Sequence, residues 1–404
     1  MAISSRVARR RAPTLLLLAA TVAGALLAAS VGTAAATAAA SAARSRRPLP
    51  RILPLAAGSF PEGIAAGPWP TYYVSSLATG TIYRGDFTAN GSVCAVTALP
   101  GTVGVAYDAS AHVLYVAGGW SGAAYAVELA SATGNRSSCR ARRVVTLTPP
   151  PPAASAPRPP LINDVIAVPG GGAYFTDSAS NRLWAVPPYP SATVTALRMR
   201  GFPAPAAANG TGANGIVHLP AGCDGGTGSL LVAHLDRSAL YAVSLPGGAA
   251  VEVNLRCALP HGRSCGDAAR PGGALMRGAD GLWVADVAGD GHSGGCDGGG
   301  GGGRPHPRRP RYVYVVNPFA DTITTVALGP RYDARRPAGA VVAQDTDGAF
   351  RTPTTVAGSG GWLWAVNSRL GAVLDAGVEL ASGLTDPAFA GWDFDVVRVA
   401  RLRR

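Results

Sequence analysis

Three side chains with oxygen ligands stand at matching places in the sequence, each just before a short apolar run. They are Glu62 in the segment PEGI, Asn163 in INDV and Asn214 in ANGI. One carboxylate and two carboxamides, without a thiolate or an imidazole, form a hard-oxygen set that suits Ca²⁺ or Mg²⁺ better than softer metals. If the fold brings these segments together, they predict a divalent-cation site.

The three segments belong to a unit that recurs six times. Each copy has a polar or small pair, an apolar strand, a turn that contains Gly, a strand that ends in aromatic and valine residues, and a further turn and strand. The copies start near residues 60, 102, 162, 213, 271 and 353. Short β-branched and aromatic runs between Gly, Asn and Asp turns are typical of strands. The pattern predicts an all-β chain: one six-bladed β-propeller over residues 48–404, with four-stranded antiparallel blades around a central tunnel.

Two low-complexity insertions lengthen the spacing between copies, and we expect both to be loops. They are residues 149–160, between the second and third blades, and residues 289–311, within the fifth. In a propeller, the residue that opens the innermost strand of each blade lies at one mouth of the tunnel. Alignment of the six copies therefore predicts a ring at that mouth, made of Glu62, Val103, Asn163, Asn214, Gly272 and Thr354.

The segments that open blades one, three and four, and the YFTD run that follows Asn163-Asp164, resemble those of the gluconolactonase, regucalcin and luciferin-regenerating-enzyme propellers. The likeness covers nearly the whole chain after residue 58. It implies that Glu62, Asn163 and Asn214 hold one divalent cation, together with an Asp from a later blade. It also implies hydrolysis of a lactone or a carboxylic ester. Ca²⁺ is the expected ion, with Mg²⁺ and Zn²⁺ as alternatives.

The fifth copy departs from the family pattern. The family's Asp would come from a Pro-Asp-Gly segment, whereas this copy reads Pro271-Gly272-Gly273. Asp280 lies eight residues further on, which at about 3.3 Å per residue predicts a place at the opposite face. Because strand side chains alternate, Asp164 is expected to point away from Asn163. We therefore expect a degenerate site with one carboxylate and weak cation binding, and whether the chain is an enzyme stays open.

Two other functions also stay open. One is a binding propeller without catalysis, and the other is a propeller similar to strictosidine synthase, whose catalytic Glu has no clear counterpart here. His218 and His234 could suggest the histidine pair of a paraoxonase-type lactonase, but we interpret them as strand-end or rim residues. The sequence has no Gly-x-Ser-x-Gly elbow and no phosphate loop. We expect a monomer, with a small molecule as the substrate if the chain is an enzyme.

Residues 1–47 form a segment of different composition. Arg6 and three further arginines precede an apolar run over residues 14–31 and an Ala-rich stretch, and no acidic residue occurs before Glu62. This is typical of a cleaved secretory signal peptide, with a retained membrane anchor and an organelle-targeting leader as the alternatives. We therefore expect a secreted or lumenal protein. Three glycosylation sequons agree with that destination, at Asn90, Asn135 and Asn209.

The six cysteines include no Cys-x-x-Cys pair, which disfavours a zinc site. Their even number fits full pairing in an oxidising compartment. The predicted pairs are Cys94 with Cys139, Cys257 with Cys265, and Cys223 with Cys296.

The net charge of +12 arises largely from the leader. Seven arginines and no acidic residue lie in residues 1–47, so the rest of the chain carries +5. The remaining basic residues are scattered, apart from clusters within residues 304–311 and 398–404. We therefore expect no nucleic-acid partner and, after leader cleavage, no membrane partner.

Overall fold

The computed structural model describes the chain between residues 48 and 402 with ten internal gaps. The described residues are 48–89, 93–130, 139–148, 159–205, 210–220, 228–262, 276, 278–285, 310–329, 332–380 and 384–402. Several predictions fall outside these ranges: the leader over residues 1–47, the sequons at Asn90, Asn135 and Asn209, Gly272 in the ring, and Cys223, Cys265 and Cys296. Those predictions stay predictions.

The chain is an all-β propeller of six sheets, as the repeats predict. The first three blades are antiparallel sheets of four consecutive strands. In blade one they are β2 (Pro61–Ala66), β3 (Thr71–Ser76), β4 (Thr81–Asp86) and β5 (Cys94–Ala98). In blade two they are β6 (Val105–Asp108), β7 (Val113–Ala117), β8 (Ala124–Leu129) and β9 (Ala141–Leu147). In blade three they are β10 (Ile162–Ala167), β11 (Ala173–Asp177), β12 (Arg182–Val186) and β13 (Thr195–Arg198).

The last three blades depart from this plan in two places. Blade four contains β14 (Ala213–Leu219), β15 (Ser229–His234), β16 (Ala239–Ser244) and β17 (Ala250–Glu252). Blade five contains β19 (Leu282–Ala285), β20 (Arg311–Asn317), β21 (Thr322–Leu328), β22 (Ala338–Thr346) and a fifth, parallel strand, β18 (Asn254–Cys257), on its outer edge. Blade six contains β23 (Pro353–Ser359), β24 (Trp362–Asn367), β25 (Asp395–Arg401) and β1 (Ile52–Pro54).

Blade six is completed by a strand from the other end of the sequence. β1 pairs antiparallel with β25, with Leu53 opposite Val396. Each innermost strand contacts the innermost strand of the next blade, and β23 contacts β2. The ring of blades is therefore closed by pairing between the two ends of the propeller.

The innermost strands share a local irregularity at the end where they begin. Their pairing with the second strand skips two residues in blades one, three, four and six, at positions 62–63, 163–164, 214–215 and 354–355. A β-bulge of this kind breaks the alternation of side chains along a strand. It therefore lets consecutive residues at the ring position reach the same neighbouring blade.

The hydrophobic core lies between the blades. Each interface has its own cluster of aliphatic and aromatic side chains, such as Tyr115 and Phe175 between blades two and three. Trp184 is buried in such a cluster, Trp364 is buried against Phe87, and the ring of Trp283 lies against Gly358 of blade six. These tryptophans therefore pack between blades.

A long segment at residues 368–394 connects the second and third strands of blade six. It contains the single described α-helix, α1 (Leu370–Asp375), and packs on the residues before β2 through a cluster of Phe60, Val373, Leu384, Phe389 and Phe394. Among the described residues, no helix has the length and apolarity that a membrane span requires.

The predicted bond between Cys94 and Cys139 is confirmed. It joins the region of β5 to the residues before β9, with a Cα–Cα distance of 6.1 Å, and so links blades one and two. Cys257 is also disulfide-bonded. Its predicted partner, Cys265, lies outside the described ranges.

Candidate functional site

Asp280 opens the innermost strand of blade five. Its N–H donates to Val316 O (2.9 Å), and the Val316 N–H donates to Gly281 O (3.0 Å). In blade two the ring residue Val103 has the same pattern, since it donates to Ala117 O (2.8 Å) and the Ala117 N–H donates to Gly104 O. Asp280 therefore holds the ring position that the sequence assigned to Gly272.

The prediction that Asp280 lies at the opposite face is wrong. It rested on taking residues 271–274 as the innermost strand of blade five and Leu282–Val284 as the second strand. In the structure, β19 is the innermost strand and its partner β20 begins only at Arg311. The Gly-rich insertion thus separates the first strand of this blade from the second, and an Asp stands at the ring position of blade five.

Hydrogen bonds link neighbouring ring positions across the blade interfaces. Thr354 Oγ1 donates to Glu62 O (2.9 Å), which joins blade six to blade one. The Gly281 N–H donates to Thr354 O (2.9 Å), and the Gly104 N–H donates to Asn163 O (2.7 Å). Glu62, Asn163 and Thr354 therefore belong to one connected ring.

The remaining interfaces are equally close. Ser75 Oγ of blade one donates to Val103 O of blade two. The Ile216 N–H of blade four donates to Asp164 Oδ2 of blade three (3.2 Å). A Cβ built on Gly215 would lie 2.9 Å from the Leu282 nitrogen of blade five. The six innermost strands therefore approach one another around a common axis at the level of the ring.

Four ring side chains each have an oxygen that is buried and lacks a hydrogen-bond partner among the described residues. These atoms are Glu62 Oε2, Asn163 Oδ1, Asn214 Oδ1 and Asp280 Oδ1. Leaving one such atom unsatisfied costs about 1–3 kcal/mol, so each calls for an explanation such as a bound ion or water. The four come from blades one, three, four and five.

The amide groups of the two asparagines are oriented by their neighbours. Asn163 Nδ2 donates to Ser178 Oγ (2.9 Å), and Ser178 Oγ donates to Ala213 O (2.6 Å). Asn214 donates a side-chain hydrogen bond to Asp280. Because the NH₂ groups are engaged in this way, both amides are left with the oxygen as the unsatisfied end.

Asp164 lies beside the ring, reaches blade four, and raises the pKa of both Glu62 and Asp280. Its carboxylate accepts hydrogen bonds from the Val165 and Ile216 N–H groups (2.8 and 3.2 Å). The expectation that it points away from Asn163 is wrong, because the bulge at residues 163–164 interrupts the alternation.

Burial shifts the pKa of all three carboxyl groups upward. The pKa of Glu62 is raised well above its usual range by burial, and further by the nearby Asp280 and Asp164. The pKa of Asp280 is raised by burial and by Asp164. Burial raises the pKa of Asp164 to about 7, against the opposing effect of the two N–H donors.

No Lys or Arg in the described part of the chain forms an ion pair with these carboxyl groups. Three buried carboxyl groups without a counter-charge favour either protonation or a bound cation. Two carboxylate and two carboxamide oxygens are ligands that Ca²⁺ prefers. The residues present therefore fit a divalent cation, and they do so with one carboxylate more than the sequence predicted.

The other two described ring positions differ in chemistry. Val103 offers no ligand atom, and the Thr354 hydroxyl is already used in its bond to Glu62 O. Within the described ranges, no group of three or more His, Cys, Asp or Glu side chains has an arrangement that could hold a metal ion by itself. A metal site here would thus depend on the two asparagines.

His218 and His234 do not form a pair. His234 is opposite Ala213 at one end of the β14–β15 ladder, and His218 is opposite Leu230 near the other. His234 is fully buried and its ring stacks on Phe202, with a centroid distance of 5.2 Å. Asp177 accepts hydrogen bonds from the N–H groups of Leu161 and Ala179, which is a structural role in a turn.

A surface groove of about 480 Å³ lies between blades one and two, far from the ring. It is lined by the outer strands β5 and β9 and by Arg140, Arg142 and Arg143. One of these arginines, Arg142, forms an ion pair with Glu128 (3.2 Å). The groove contains none of the ring residues.

No family model and no curated protein matches the sequence. Among solved structures, the chain is similar to a luciferin-regenerating enzyme, with 12% identity over 86% of this chain and 93% of that chain and a TM-score of 0.49. It is also similar to virginiamycin B lyase from Staphylococcus aureus (10% identity, 86% and 99% coverage, TM-score 0.43). A third is the PQQ-bound aldose sugar dehydrogenase from Streptomyces coelicolor (14% identity, 87% and 99% coverage, TM-score 0.45). At these identities the likeness concerns the fold, and this chain is a six-bladed β-propeller.

Proposed function

We propose that this protein is a divalent-metal-dependent hydrolase of lactones or carboxylic esters, with Ca²⁺ as the preferred ion. The observation that carries the proposal is the set of four buried oxygens without partners, contributed by Glu62, Asn163, Asn214 and Asp280. They come from four blades and occupy the position that the family resemblance assigns to its cation ligands. These four residues would hold the ion.

A bound cation would polarise the substrate carbonyl and lower the pKa of water in the site. The residues of the chain supply the rest. Glu62 and Asp280 provide the negative charge, and Asn163 and Asn214 are held in place through their NH₂ groups. In its ionised form the carboxylate of Asp280 can also accept the proton of the attacking water, the task that a general base performs.

Cation binding is the first test. We expect purified mature protein to bind Ca²⁺ in calorimetry and to melt at a higher temperature with Ca²⁺ than with a chelator. Glu62→Gln and Asp280→Asn should each weaken binding by at least tenfold, because each removes one of two ligand charges. Glu252→Gln is the matched control, since Glu252 lies on an outer strand and accepts from the Tyr241 hydroxyl (3.1 Å).

Hydrolysis is tested next with a panel of lactones and esters. Asp280→Asn should lower kcat by about two orders of magnitude or more, as expected for the loss of a general base. Equal rates for the wild type and this variant would contradict the proposal. Cation binding without hydrolysis of any ester would favour the non-catalytic binding propeller instead.

We also propose that the protein works in the secretory pathway or outside the cell, as a monomer. The supporting observation is that all three described cysteines are disulfide-bonded, which fits an oxidising compartment.

A further inference from the structure

Two exposed aromatic side chains lie at the ring end of the propeller. Trp120 and Phe319 occupy the turns that follow the second strands of blades two and five, and they are 47% and 52% exposed. Both second strands end beside a ring residue, since Val103 pairs with Ala117 and Asp280 with Val316. In a ring of six blades, the second and the fifth lie opposite each other.

The turn that carries Phe319 is attached to the ring positions of blades five and six. A Cβ built on Gly278, two residues before Asp280, would lie 2.9 Å from Phe319 Cε2, so the phenyl ring rests directly on this glycine. The Thr352 N–H, two residues before Thr354, donates to Asp321 Oδ1 (2.8 Å). Phe319 is therefore positioned at the tunnel mouth.

The turn that carries Trp120 is attached in the same manner to blades two and three. The Gly119 N–H donates to Ile162 O (2.7 Å), and the Ile162 N–H donates back to Gly119 O (3.2 Å). A Cβ built on Gly119 would lie 2.7 Å from Val103 Cγ2. Trp120 thus stands beside the one apolar residue of the described ring.

The remaining exposed aromatic residue of the described chain is different. Trp69 is 50% exposed, but it follows the innermost strand of blade one, at the other end of the tunnel, and its ring stacks on Phe87. Within the described residues, neither Trp120 nor Phe319 has an aromatic partner. The corresponding turns of blades one, three and four, at residues 77–80, 178–181 and 235–238, contain no aromatic residue.

Some polar side chains in and beside these turns form hydrogen bonds within the protein. Ser121 Oγ donates to Gly118 O (2.8 Å), and Thr102 Oγ1 donates to Ser76 O (2.7 Å). Asp321 Oδ1 is the acceptor for Thr352 described above. The side chains of Trp120 and Phe319 are therefore the large exposed apolar surfaces of these turns.

We propose that Trp120 and Phe319 form an apolar subsite at the tunnel mouth, and that the substrates are lactones or esters with an alkyl or aryl substituent. This inference rests on the proposed function, since it places the reacting carbonyl at Glu62, Asn163, Asn214 and Asp280. The substituent would then lie against the two aromatic side chains, where its burial contributes to binding.

The test measures binding without hydrolysis. A series of δ-lactams with alkyl substituents of increasing length is titrated calorimetrically into the full protein with Ca²⁺. Affinity for the wild type should rise about threefold to fourfold per methylene that the subsite covers. In Trp120→Ser and Phe319→Ser the rise per methylene should fall by half or more, and Trp120→Phe should largely retain it.

Val251→Ser serves as the control, because Val251 is 38% exposed on the outer strand of blade four. It should leave the chain-length dependence unchanged. Three results would overturn the inference. The first is a wild-type affinity that does not change with alkyl chain length, and the second is a chain-length dependence in the two serine variants that equals that of the wild type. The third is a polyhydroxylated lactam that binds more tightly than the alkyl lactams. Hydrolysis of an unsubstituted lactone, measured in parallel, separates the two proposals. If the protein hydrolyses this lactone but its affinity for the lactams does not change with chain length, only the subsite is overturned. If the affinity rises with chain length but no lactone is hydrolysed, only the catalytic proposal is overturned.

Discussion

At the scale of single residues, Asp164 adds a third buried carboxyl group to the two carboxylates of the ring. Its pKa of about 7 lies far above that of an Asp in an unfolded chain. The backbone N–H donors of Val165 and Ile216 favour its ionised form, but burial has the larger effect. Without a cation, the folded protein therefore keeps protons that the unfolded chain releases.

The sign of the pH dependence follows from this difference. Between about pH 4 and pH 7 the folded chain binds more protons than the unfolded chain, so the free energy of unfolding should fall as pH rises, by about 1 kcal/mol per pH unit for one such group. The pKa values of Glu62 and Asp280 are also raised, so these groups likewise make the free energy of unfolding fall as pH rises. Urea denaturation in chelator at pH 5, 6, 7 and 8 measures the slope, and Asp164→Asn should reduce it.

Added Ca²⁺ should reverse this dependence, because cation binding favours the ionised carboxylates and strengthens as pH rises. A stability in chelator that increases from pH 5 to pH 7 would contradict the assignment of these buried groups.

At the scale of the elements, the innermost strands approach so closely that glycine is required beside the ring. A Cβ built on Gly104 would lie 2.6 Å from Asp164 Cα and 2.9 Å from Asn163 O. Gly104→Ala should therefore displace blade three at Asn163. We expect a loss of about 1–3 kcal/mol in the free energy of unfolding, as for other overpacked positions, together with weaker Ca²⁺ binding.

Gly348→Ala is the matched control for this substitution, since nothing lies within 4 Å of the added Cβ. Chemical denaturation and calorimetry on both variants give the comparison. If Gly104→Ala binds Ca²⁺ as tightly as the wild type, the ring is not held by the close approach of the innermost strands.

At the scale of the whole molecule, closure of the propeller depends on a three-residue strand. β1 joins the N-terminal end of the propeller to β25 in the last blade, and Leu53 at its centre is fully buried. Leu53→Ala should lower the free energy of unfolding by about 2–4 kcal/mol, the usual range for a buried leucine. The neighbouring Ile52→Ala should cost far less, because Ile52 is 43% exposed.

Denaturant unfolding of the two variants provides the measurement. Equal stability of Leu53→Ala and Ile52→Ala would show that β1 does not hold the ring closed. A short strand can matter this much because β1, the outermost strand of blade six, ties the residues that precede blade one to the last blade.

Local sequence is enough to predict the class of fold, the six repeats and three of the four candidate ligands. These predictions depend on local features of the sequence. Strands show alternating or β-branched runs, and turns show Gly, Asn and Asp. The pair of residues that starts an innermost strand is recognisable in Glu62-Gly63 and Asn214-Gly215. The bond between Cys94 and Cys139 agrees with the predicted pairing, although the repeat itself does not specify which cysteines pair.

The fourth candidate ligand and the closure of the ring depend on strand pairing between segments that are distant in the sequence. Asp280 joins Glu62, Asn163 and Asn214 because β19 pairs with β20 across a long insertion, and local sequence does not reveal which strand of a blade is innermost. The pairing of β1 with β25 likewise joins segments more than 300 residues apart. Strand pairing over such separations is decided by which apolar faces can be buried together, a property of the assembled blades and of no single segment.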